Sequence, residues 1–210
     1  MFKLISATPS PYARKVRIAL AEKRIPFELL TEVPWHSTTL TPRYNPLEKL
    51  PVLILEDGTS VYESSYILDW LELKYPQTPM LPNDVDGILA ARKLDVLCNG
   101  VCDATVLTFF ERQRDGGGSA EWTARQRRKI EGGIGEIARL IADREYAVGN
   151  RFGLGDIAAA TVVGYLSVRY KELPIRSIYP QLAAYSDRME LRPSLANSKP
   201  SAQTITDKIV

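Results

Sequence analysis

Two short motifs in the first third of the chain carry residue types that could bind a small ligand. In the first motif, residues 45–51, a proline begins an apolar strand, where the missing N–H of Pro51 is tolerated. A cis bond at that position would turn the main chain of Leu50 outward, where it could pair with a peptide. In the second motif a helix begins at Glu63 and Ser64, so helix N–H groups and the Ser64 hydroxyl can hold a carboxylate while Glu63 binds an ammonium group. A small zwitterionic peptide meets both requirements.

The composition is that of an ordinary globular protein. The chain has 210 residues, of which 45% are hydrophobic, and its net charge of +2 gives no argument for nucleic acid or an anionic membrane as a partner. Cys98 and Cys102 make no disulfide framework, and without further Cys or His ligands they predict no metal site. No secretory signal precedes the first strand pattern, and no apolar run approaches the length of a membrane span. We therefore expect a cytoplasmic protein.

The first 75 residues show strand and helix patterns in the order βαβ and then ββα. In chain order, the predicted strands and helices cover residues 2–6, 12–23, 27–31, 51–55, 59–62 and 64–75. The βαβ unit makes the first two strands parallel, and the Asp57–Gly58 turn joins the last two in a hairpin. These patterns predict a small mixed sheet covered by helices.

The second half of the chain is predicted to be helical. Three prolines within residues 76–83 mark a linker, and no convincing strand follows it. Helical spacing of apolar residues covers residues 85–114, 130–141, 156–167 and 178–189. The last dozen residues are rich in Ser, Lys and Thr and are expected to be a loosely held tail. We divide the chain into an α/β domain over 1–76, a linker over 77–84 and an all-helical domain over 85–210.

With these motifs in place, the sequence resembles the serine-type bacterial members of the cytosolic glutathione S-transferase superfamily over nearly its full length. The matching pieces are the helix start at 10–20, the loop at 45–51 and the pair Glu63–Ser64, in that order before a proline-rich linker and a helical half. The resemblance implies an α/β thioredoxin-like N-terminal domain with a mixed four-stranded sheet and an all-α helical-bundle C-terminal domain. It also implies a glutathione site on the first domain and, between the domains, a hydrophobic pocket without a cofactor for the second substrate.

The resemblance assigns glutathione contacts to several of the motif residues. Glu63 and Ser64 are expected to bind the γ-glutamyl end. Leu50 is expected to pair its main chain with the cysteinyl part, and Pro51 would be the cis-proline of the family.

The glycyl carboxylate of glutathione has three candidate partners. Lys49 lies beside the Leu50 loop, and His36 and Trp35 lie in the irregular segment before it. Nothing in the sequence selects among the three.

Ser10 is the candidate for activating the thiol. The nucleophile is ionised sulfur, and a free thiol titrates near about 8.5, so lowering its pKa by about two units requires roughly 2.7 kcal/mol. Ser10 precedes Pro11 at the start of the first helix, where a hydroxyl and the positive helix end can supply most of this free energy. In the thioredoxin-like pattern Ser10 and Ala13 occupy the two cysteine positions, so thiol–disulfide exchange lacks its protein nucleophile. The alternatives are a helix cap without catalytic role and activation by the neighbouring hydroxyl of Tyr12 or Thr8.

The second substrate and a partner subunit are expected from the resemblance. Tyr12, Phe109 and Arg112 are candidates for the second-substrate pocket, although the aromatic residue of the first bundle helix could equally be core. A homodimer is implied, in which Asn99 or Asp103 could reach the γ-glutamyl amine across the interface.

The predicted function is conjugation of glutathione to small hydrophobic electrophiles in detoxification or stress metabolism. Glutathione is a co-substrate in this reaction, and no other cofactor is expected. Two alternatives keep the glutathione site: a glutathione-dependent isomerase or reductive dehalogenase, and a non-catalytic protein that binds glutathione or hydrophobic ligands.

One position departs from the family pattern. The late buried helix of the superfamily begins with Ser or Thr three residues before an Asp, whereas this chain has Gly153 before Asp156. Glycine at an N-cap costs only a few tenths of a kcal/mol relative to Ser or Thr, so we expect a folded domain with a slightly weaker helix start.

Overall fold

The computed structural model describes residues 1–116 and 118–207, which form two compact units. The first unit comprises residues 1–80 together with 193–207, and the second comprises the described residues of 81–192. None of the helices in this described part has both the length and the apolar character needed to cross a membrane.

The first unit is built on a four-stranded mixed sheet. Its strands are β1 (Phe2–Ser6), β2 (Phe27–Thr31), β3 (Val52–Ile54) and β4 (Ser60–Val61). Strand β1 pairs in parallel with β2 and antiparallel with β3, and β3 pairs antiparallel with β4, in the order β2-β1-β3-β4. The predicted thioredoxin-like βαβ–ββα arrangement is confirmed, with the hairpin strands shorter than expected.

These pairings place four chain segments at one edge of the sheet. Because β1 and β2 are parallel, the segments that follow Ser6 and Thr31 leave at the same edge. Strand β3 runs the other way, so the segment before Val52 enters at that edge, and the segment after Val61 leaves there because β4 is antiparallel to β3. The carboxyl-terminal edge of parallel strands is where α/β folds bind ligands.

Two helices cover the sheet of the first unit. Helices α1 (Pro11–Glu22) and α2 (Ser64–Lys74) pack against each other. Their buried faces repeat at helical spacing, as the sequence predicts, through Val16, Ala19, Leu20, Ile67, Leu68 and Leu71. A short 3-10 helix (Thr41–Arg43) lies in the connection between β2 and β3.

The second unit is a helical bundle. Its helices are α3 (Val85–Glu111), α4 (Ala120–Ile141), α5 (Leu154–Arg169), α6 (Ile175–Ile178) and α7 (Pro180–Met189). Helix α3 packs against α4 and α5, and the predicted isoleucine stripe of α4 is fully buried. A Cβ on Gly133 would lie 2.4 Å from Val101 Cγ2, so this glycine permits the close approach of α3 and α4.

The helix predicted over 178–189 begins at Pro180, as α7, and the short helix α6 precedes it. Pro180 has no N–H to continue the ladder of α6, and its fixed φ suits the first position of a new helix.

The start of α5 keeps the acidic half of the expected cap. Gly153 is the N-cap, and its N–H donates to Asp156 Oδ2 at 2.9 Å. The other oxygen, Asp156 Oδ1, accepts from the Ala147 N–H at 2.9 Å and from the Tyr185 hydroxyl. Burial raises the pKa of the Asp156 carboxyl, and these hydrogen bonds act in the opposite direction. The carboxylate thus connects α5, α7 and the preceding loop, which compensates for the missing hydroxyl of Gly153.

The C-terminal segment differs from the prediction of a loose tail. Residues 193–207 group with the first unit, whereas the domain prediction placed them with the helices. Helix α8 (Pro193–Ala196) packs on α1, where Arg14 donates to the Leu195 carbonyl at 3.2 Å. Farther along, the Gln203 side chain donates to the Glu32 carbonyl at 3.0 Å. The polar composition predicted a loosely held tail, because the partners of these residues lie far away in the sequence and are not visible from it. Residues 208–210, which that prediction also covered, lie outside the described residues.

A buried ion pair between Lys23, at the end of α1, and Glu72 of α2 holds the proline-rich segment that follows α2. Lys23 Nζ lies 2.9 Å from Glu72 Oε2 and donates to the carbonyls of Tyr75 and Thr78, both at 2.8 Å. The Lys23 side chain is only 1% exposed and that of Glu72 17%. Glu72 also accepts from the Met80 N–H at 2.9 Å. Residues 77–80 of the predicted linker therefore belong to the first unit.

Replacing Lys23 by Met is expected to lower the free energy of unfolding by about 3–5 kcal/mol, because it leaves the largely buried Glu72 carboxylate without its cation. Lys3→Met is the control, since Lys3 pairs with Glu28 at 3.7 Å on the surface and should contribute less than about 1 kcal/mol. Urea unfolding measures both changes. Equal losses in the two variants would contradict the assigned role of Lys23.

Candidate functional site

Ser10 lies at the start of α1, next to the sheet edge where β1 ends. Its backbone is extended, and its Oγ accepts a hydrogen bond from the Ala13 N–H at 3.2 Å, so Ser10 is the N-cap of α1. A hydroxyl has two lone pairs and one proton, and the cap uses one lone pair. No acceptor for the Ser10 proton occurs among residues 1–116 and 118–207. The cap and the predicted donor role are therefore compatible.

The two competing hydroxyls differ from Ser10 in their surroundings. The Thr8 hydroxyl donates to the Ser201 carbonyl at 3.2 Å, so its proton is already used. Tyr12 is half-buried on the first turn of α1. Ser10 is thus favoured over Thr8 as a donor to an added anion.

The charges of α1 favour an anion at its N-terminus. The first turn contains no acidic residue, and the next residues include Arg14, Lys15 and Arg17. The pKa of Arg17 is lowered by burial first and then by the neighbouring Arg14. This concentration of positive charge adds to the positive end of the helix macrodipole.

The loop before β3 is organised by Asn45, which the sequence analysis did not single out. The Asn45 side chain is buried; its Nδ2 donates to the Lys49 carbonyl at 2.8 Å and its Oδ1 accepts from the Leu47 N–H at 2.9 Å. Glu48 between them has a φ of 55°, in the left-handed region. The Asn45-Pro46 dipeptide was the available signal, because an Asn side chain that bonds the main chain two residues on is typical of turns.

Leu50 presents a free main-chain edge, as predicted. The Leu50–Pro51 bond is cis, and the pairing of β3 with β1 ends at Val52. In the described part of the chain the N–H and C=O groups of Leu50 have no hydrogen-bond partner. The Leu50 side chain packs on the cluster of Ile5, Val52 and Ile54, which anchors the residue while its main chain stays available.

Glu63 and Ser64 lie at the junction of β4 and α2. Glu63 is the N-cap of α2, and its Oε1 accepts from the Tyr66 N–H at 3.0 Å. The side chain is exposed, so its second oxygen remains open to a cation. Capping of α2 by Glu63 thus leaves room for the predicted contact with an ammonium group.

Ser64 has two unsatisfied donors at the start of α2. Its hydroxyl is buried without a hydrogen-bond partner, and its N–H has none among the described residues. Leaving a buried polar group unpaired costs about 1–3 kcal/mol. A carboxylate at this helix N-terminus would satisfy both groups.

The three candidates for a second carboxylate site differ in how they are held. Lys49 is exposed, and its ammonium group makes no ion pair within the described ranges. Trp35 is also exposed. The His36 Nε2 lies 3.2 Å from both the N and the Oγ1 of Thr206, so His36 is bonded to the C-terminal segment.

The helical-unit candidates take part in contacts of their own. The Arg169 guanidinium lies over the Phe109 ring, with its Cζ 3.9 Å from the ring centroid. The Phe109 ring also contacts the Phe110 ring edge-on. Arg112 is exposed and forms an ion pair with Glu172. These contacts lie within the second unit, and the predicted pocket role of Tyr12, Phe109 and Arg112 stays a prediction.

The residues proposed for a cross-subunit contact lie on α3. The Asn99 amide donates to Asp95 Oδ2 at 3.3 Å, and Asp103 is exposed. Their contact with a ligand stays a prediction.

The first unit therefore brings together what a peptide thiol would need. Ser10, Leu50, Ser64 and His36 all come from the four segments at one sheet edge. They offer a hydroxyl donor at a positive helix end, a free main-chain edge and a carboxylate-binding helix start. This set fits an anionic sulfur held beside an extended peptide.

Two family models match the chain. Residues 9–74 match the glutathione S-transferase N-terminal domain and residues 120–188 match the glutathione S-transferase C-terminal domain. Among curated proteins, an uncharacterised glutathione S-transferase-like protein, YibF of Escherichia coli, is 32% identical over 94% of this chain and 98% of its own length.

Two solved structures are similar over both units. A glutathione S-transferase from Methylobacterium radiotolerans, in complex with glutathione sulfonate, is 70% identical with a TM-score of 0.98 and covers 100% of this chain and 99% of its own. Another from Methylobacillus flagellatus, with glutathione bound, is 35% identical with a TM-score of 0.90 and covers 96% of this chain and 100% of its own.

Replacing Ser64 by Ala is expected to leave the melting temperature of the ligand-free protein unchanged or slightly higher, because it removes a buried hydroxyl that has no partner. Asn45→Ala removes two hydrogen bonds from a buried amide and should lower the free energy of unfolding by about 1–3 kcal/mol. Calorimetric melting compares the two variants. A loss from Ser64→Ala as large as that from Asn45→Ala would show that the hydroxyl is satisfied in the free protein.

Proposed function

Because this chain belongs to the glutathione S-transferase family, we propose that it conjugates glutathione to small hydrophobic electrophiles, with Ser10 stabilising the thiolate. The observation that carries this proposal is the Ser10 hydroxyl, which caps α1 through its oxygen while its proton remains available. The two similar bacterial proteins whose structures hold glutathione sulfonate or glutathione support it.

Glutathione would lie along the sheet edge formed by the four segments. Its γ-glutamyl carboxylate would accept from the Ser64 N–H and hydroxyl, and its ammonium group would meet the open oxygen of Glu63. Its cysteinyl main chain would pair with the N–H and C=O of Leu50, as an added strand does at a sheet edge. The Leu50 and Ser64 contacts would satisfy groups that have no partner among the described residues, and the Glu63 contact would use the oxygen that does not cap α2.

The chemical step needs only polar groups. The thiol proton leaves to solvent, and the Ser10 hydroxyl donates to the resulting thiolate at the positive end of α1. In a substitution, sulfur forms a bond to the electrophilic carbon, and the leaving group departs with its bonding electron pair. No electron transfer occurs, so we propose that glutathione is the co-substrate and that no cofactor is required.

The cellular setting follows from the same chemistry. Conjugation requires reduced glutathione, which is the state kept in the cytoplasm, and the two cysteines of the chain, Cys98 and Cys102, are buried and form no disulfide. We propose a cytoplasmic detoxification role. The physiological electrophile would be small and apolar.

A homodimer is the proposed assembly. Four exposed apolar residues of α3, Val85, Leu89, Val96 and Leu107, are 46–70% exposed. At 100° per residue they fall within an arc of about 40° on one helix face. The first unit separately exposes Leu47, Tyr66 and Leu73. Apolar patches of this kind are typical of subunit interfaces, and a second copy of the chain is the partner that the family implies.

Leu89→Glu combined with Val96→Glu is expected to convert the dimer to a monomer, because two carboxylates would be buried at the interface without partners. Light scattering after size exclusion gives the mass. Leu191→Glu is the control, since Leu191 is 81% exposed and lies outside α3. A wild-type protein that is already monomeric at high micromolar concentration would overturn the dimer proposal.

Ser10→Ala is expected to lower kcat/KM for 1-chloro-2,4-dinitrobenzene by about 100-fold, the cost of removing one donor to a developing or bound anion. The pKa seen in the pH profile of kcat/KM should rise towards the value of a free thiol, about 8.5, so activity in the variant recovers in part at high pH. Glutathione should still raise the melting temperature of the variant, because its peptide contacts remain.

Ser10→Asp separates activation from capping. Aspartate is a good N-cap and should keep the helix stable, but its negative charge disfavours a nearby thiolate, so activity should be lost while the melting temperature is retained. Conjugation that survives both substitutions would contradict the role of Ser10. A wild-type protein that binds glutathione without conjugating any electrophile would instead favour the binding-protein alternative.

A further inference from the structure

The C-terminal residues 201–207, which we call the strap, cross the sheet edge that carries the candidate site. The Thr8 hydroxyl and the Ser201 carbonyl are joined by a hydrogen bond of 3.2 Å, and the Ser201 N–H lies 3.4 Å from the Thr8 carbonyl. The Gln203 side chain then donates to the Glu32 carbonyl at 3.0 Å. Thr8 follows β1 and Glu32 follows β2, so the strap joins the two loops that leave the sheet at this edge.

The strap ends on the loop that contains His36. The Ser37 N–H donates to Asp207 Oδ2 at 2.6 Å. This hydrogen bond is the main cause that lowers the pKa of the Asp207 carboxyl, and the nearby His36 acts in the same direction. Asp207 is therefore ionised at neutral pH, and its bond to Ser37 is charge-assisted.

Thr206 determines which nitrogen of His36 can donate. The Thr206 N–H donates to His36 Nε2 at 3.2 Å, so Nε2 acts as an acceptor and carries no proton. A neutral imidazole with Nε2 as acceptor carries its proton on Nδ1. In the part of the chain that the structure describes, His36 Nδ1 has no hydrogen-bond partner. The ring thus keeps one N–H donor available.

We propose that Thr206 and Asp207 are positioning residues of the glutathione site: they hold residues 36–37 and fix the tautomer of His36, whose Nδ1–H then donates to the glycyl carboxylate. The inference rests on the proposed function and selects His36 from the three candidates that the sequence leaves open. It assigns the strap to the site although neither residue touches the reacting sulfur.

The test compares two peptides, glutathione and γ-glutamylcysteine, which lacks the glycine. Asp207→Ala is expected to raise the Kd of glutathione about threefold to tenfold by calorimetry, less than the loss of a whole hydrogen bond to a charged group, because His36 itself remains. The Kd of γ-glutamylcysteine should be the same for wild type and variant. At saturating glutathione, kcat should change less than about twofold, because Ser10 and the γ-glutamyl contacts are untouched.

Three further variants establish that the effect passes through His36. Asp207→Asn retains an acceptor for the Ser37 N–H and should restore most of the affinity. Thr204→Ala is the matched control, since Thr204 is an exposed strap residue without a hydrogen bond in the described ranges. In a His36→Ala background, Asp207→Ala should have no further effect on the Kd of glutathione, because residues that act as one unit are not additive.

The possible failures point to different conclusions. If wild type binds neither peptide, the proposed function fails. If wild type binds glutathione and Asp207→Ala binds it equally well, the strap inference is overturned while the proposed function stands. Equal loss of affinity for both peptides would also overturn it, because that pattern indicates general distortion of the site.

Discussion

The pairing of β1 with β2 on one side and β3 on the other is the constraint on which the site depends. Together with the pairing of β3 and β4, it fixes the direction of every strand and so brings segments from distant parts of the sequence to one edge. No single segment could bind a tripeptide, because each contributes one kind of group: a hydroxyl, a main-chain edge or a helix start. A small sheet with two buried helices holds these groups at fixed separations without their contacting one another.

Two of the unsatisfied polar positions of the chain, Leu50 and Ser64, lie where a ligand is expected. The Lys23 ammonium and the Asp156 carboxylate, both buried, each have three hydrogen-bond or ion-pair partners within their own unit. Ser64 and the main chain of Leu50, by contrast, have none among the described residues. Buried polar groups are normally paired, so an unpaired group at this sheet edge is a position where a ligand could supply the missing partner. Paired buried groups such as Lys23 and Asp156 therefore stabilise the fold, whereas unpaired groups such as Ser64 are available to bind a ligand.

Much of the fold could be predicted because its signals are local. Pro11, the Asp57–Gly58 turn and the isoleucine spacing of α4 determine helix starts, a hairpin and a buried face from residues close in sequence. The strap could not be predicted, because Ser201, Thr206 and Asp207 find partners more than 160 residues away and their polar types are those of a free tail. Residue types at the site were readable from the sequence. Tertiary contacts decide which hydroxyl remains a donor: the Thr8 hydroxyl donates to the Ser201 carbonyl, whereas the Ser10 hydroxyl keeps its proton available.

The Oγ atom of Ser10 stabilises the start of α1 and is also the atom proposed to interact with the thiolate. A capping hydroxyl must accept a hydrogen bond from the helix, and this same bond orients the oxygen and leaves its proton directed away from the donor. Because the first turns of α1 carry only positive charge, an anion beside that proton gains from the helix end and from the basic side chains together. Serine at this position thus caps the helix in the ligand-free protein and, in the proposed function, favours a thiolate once glutathione has bound.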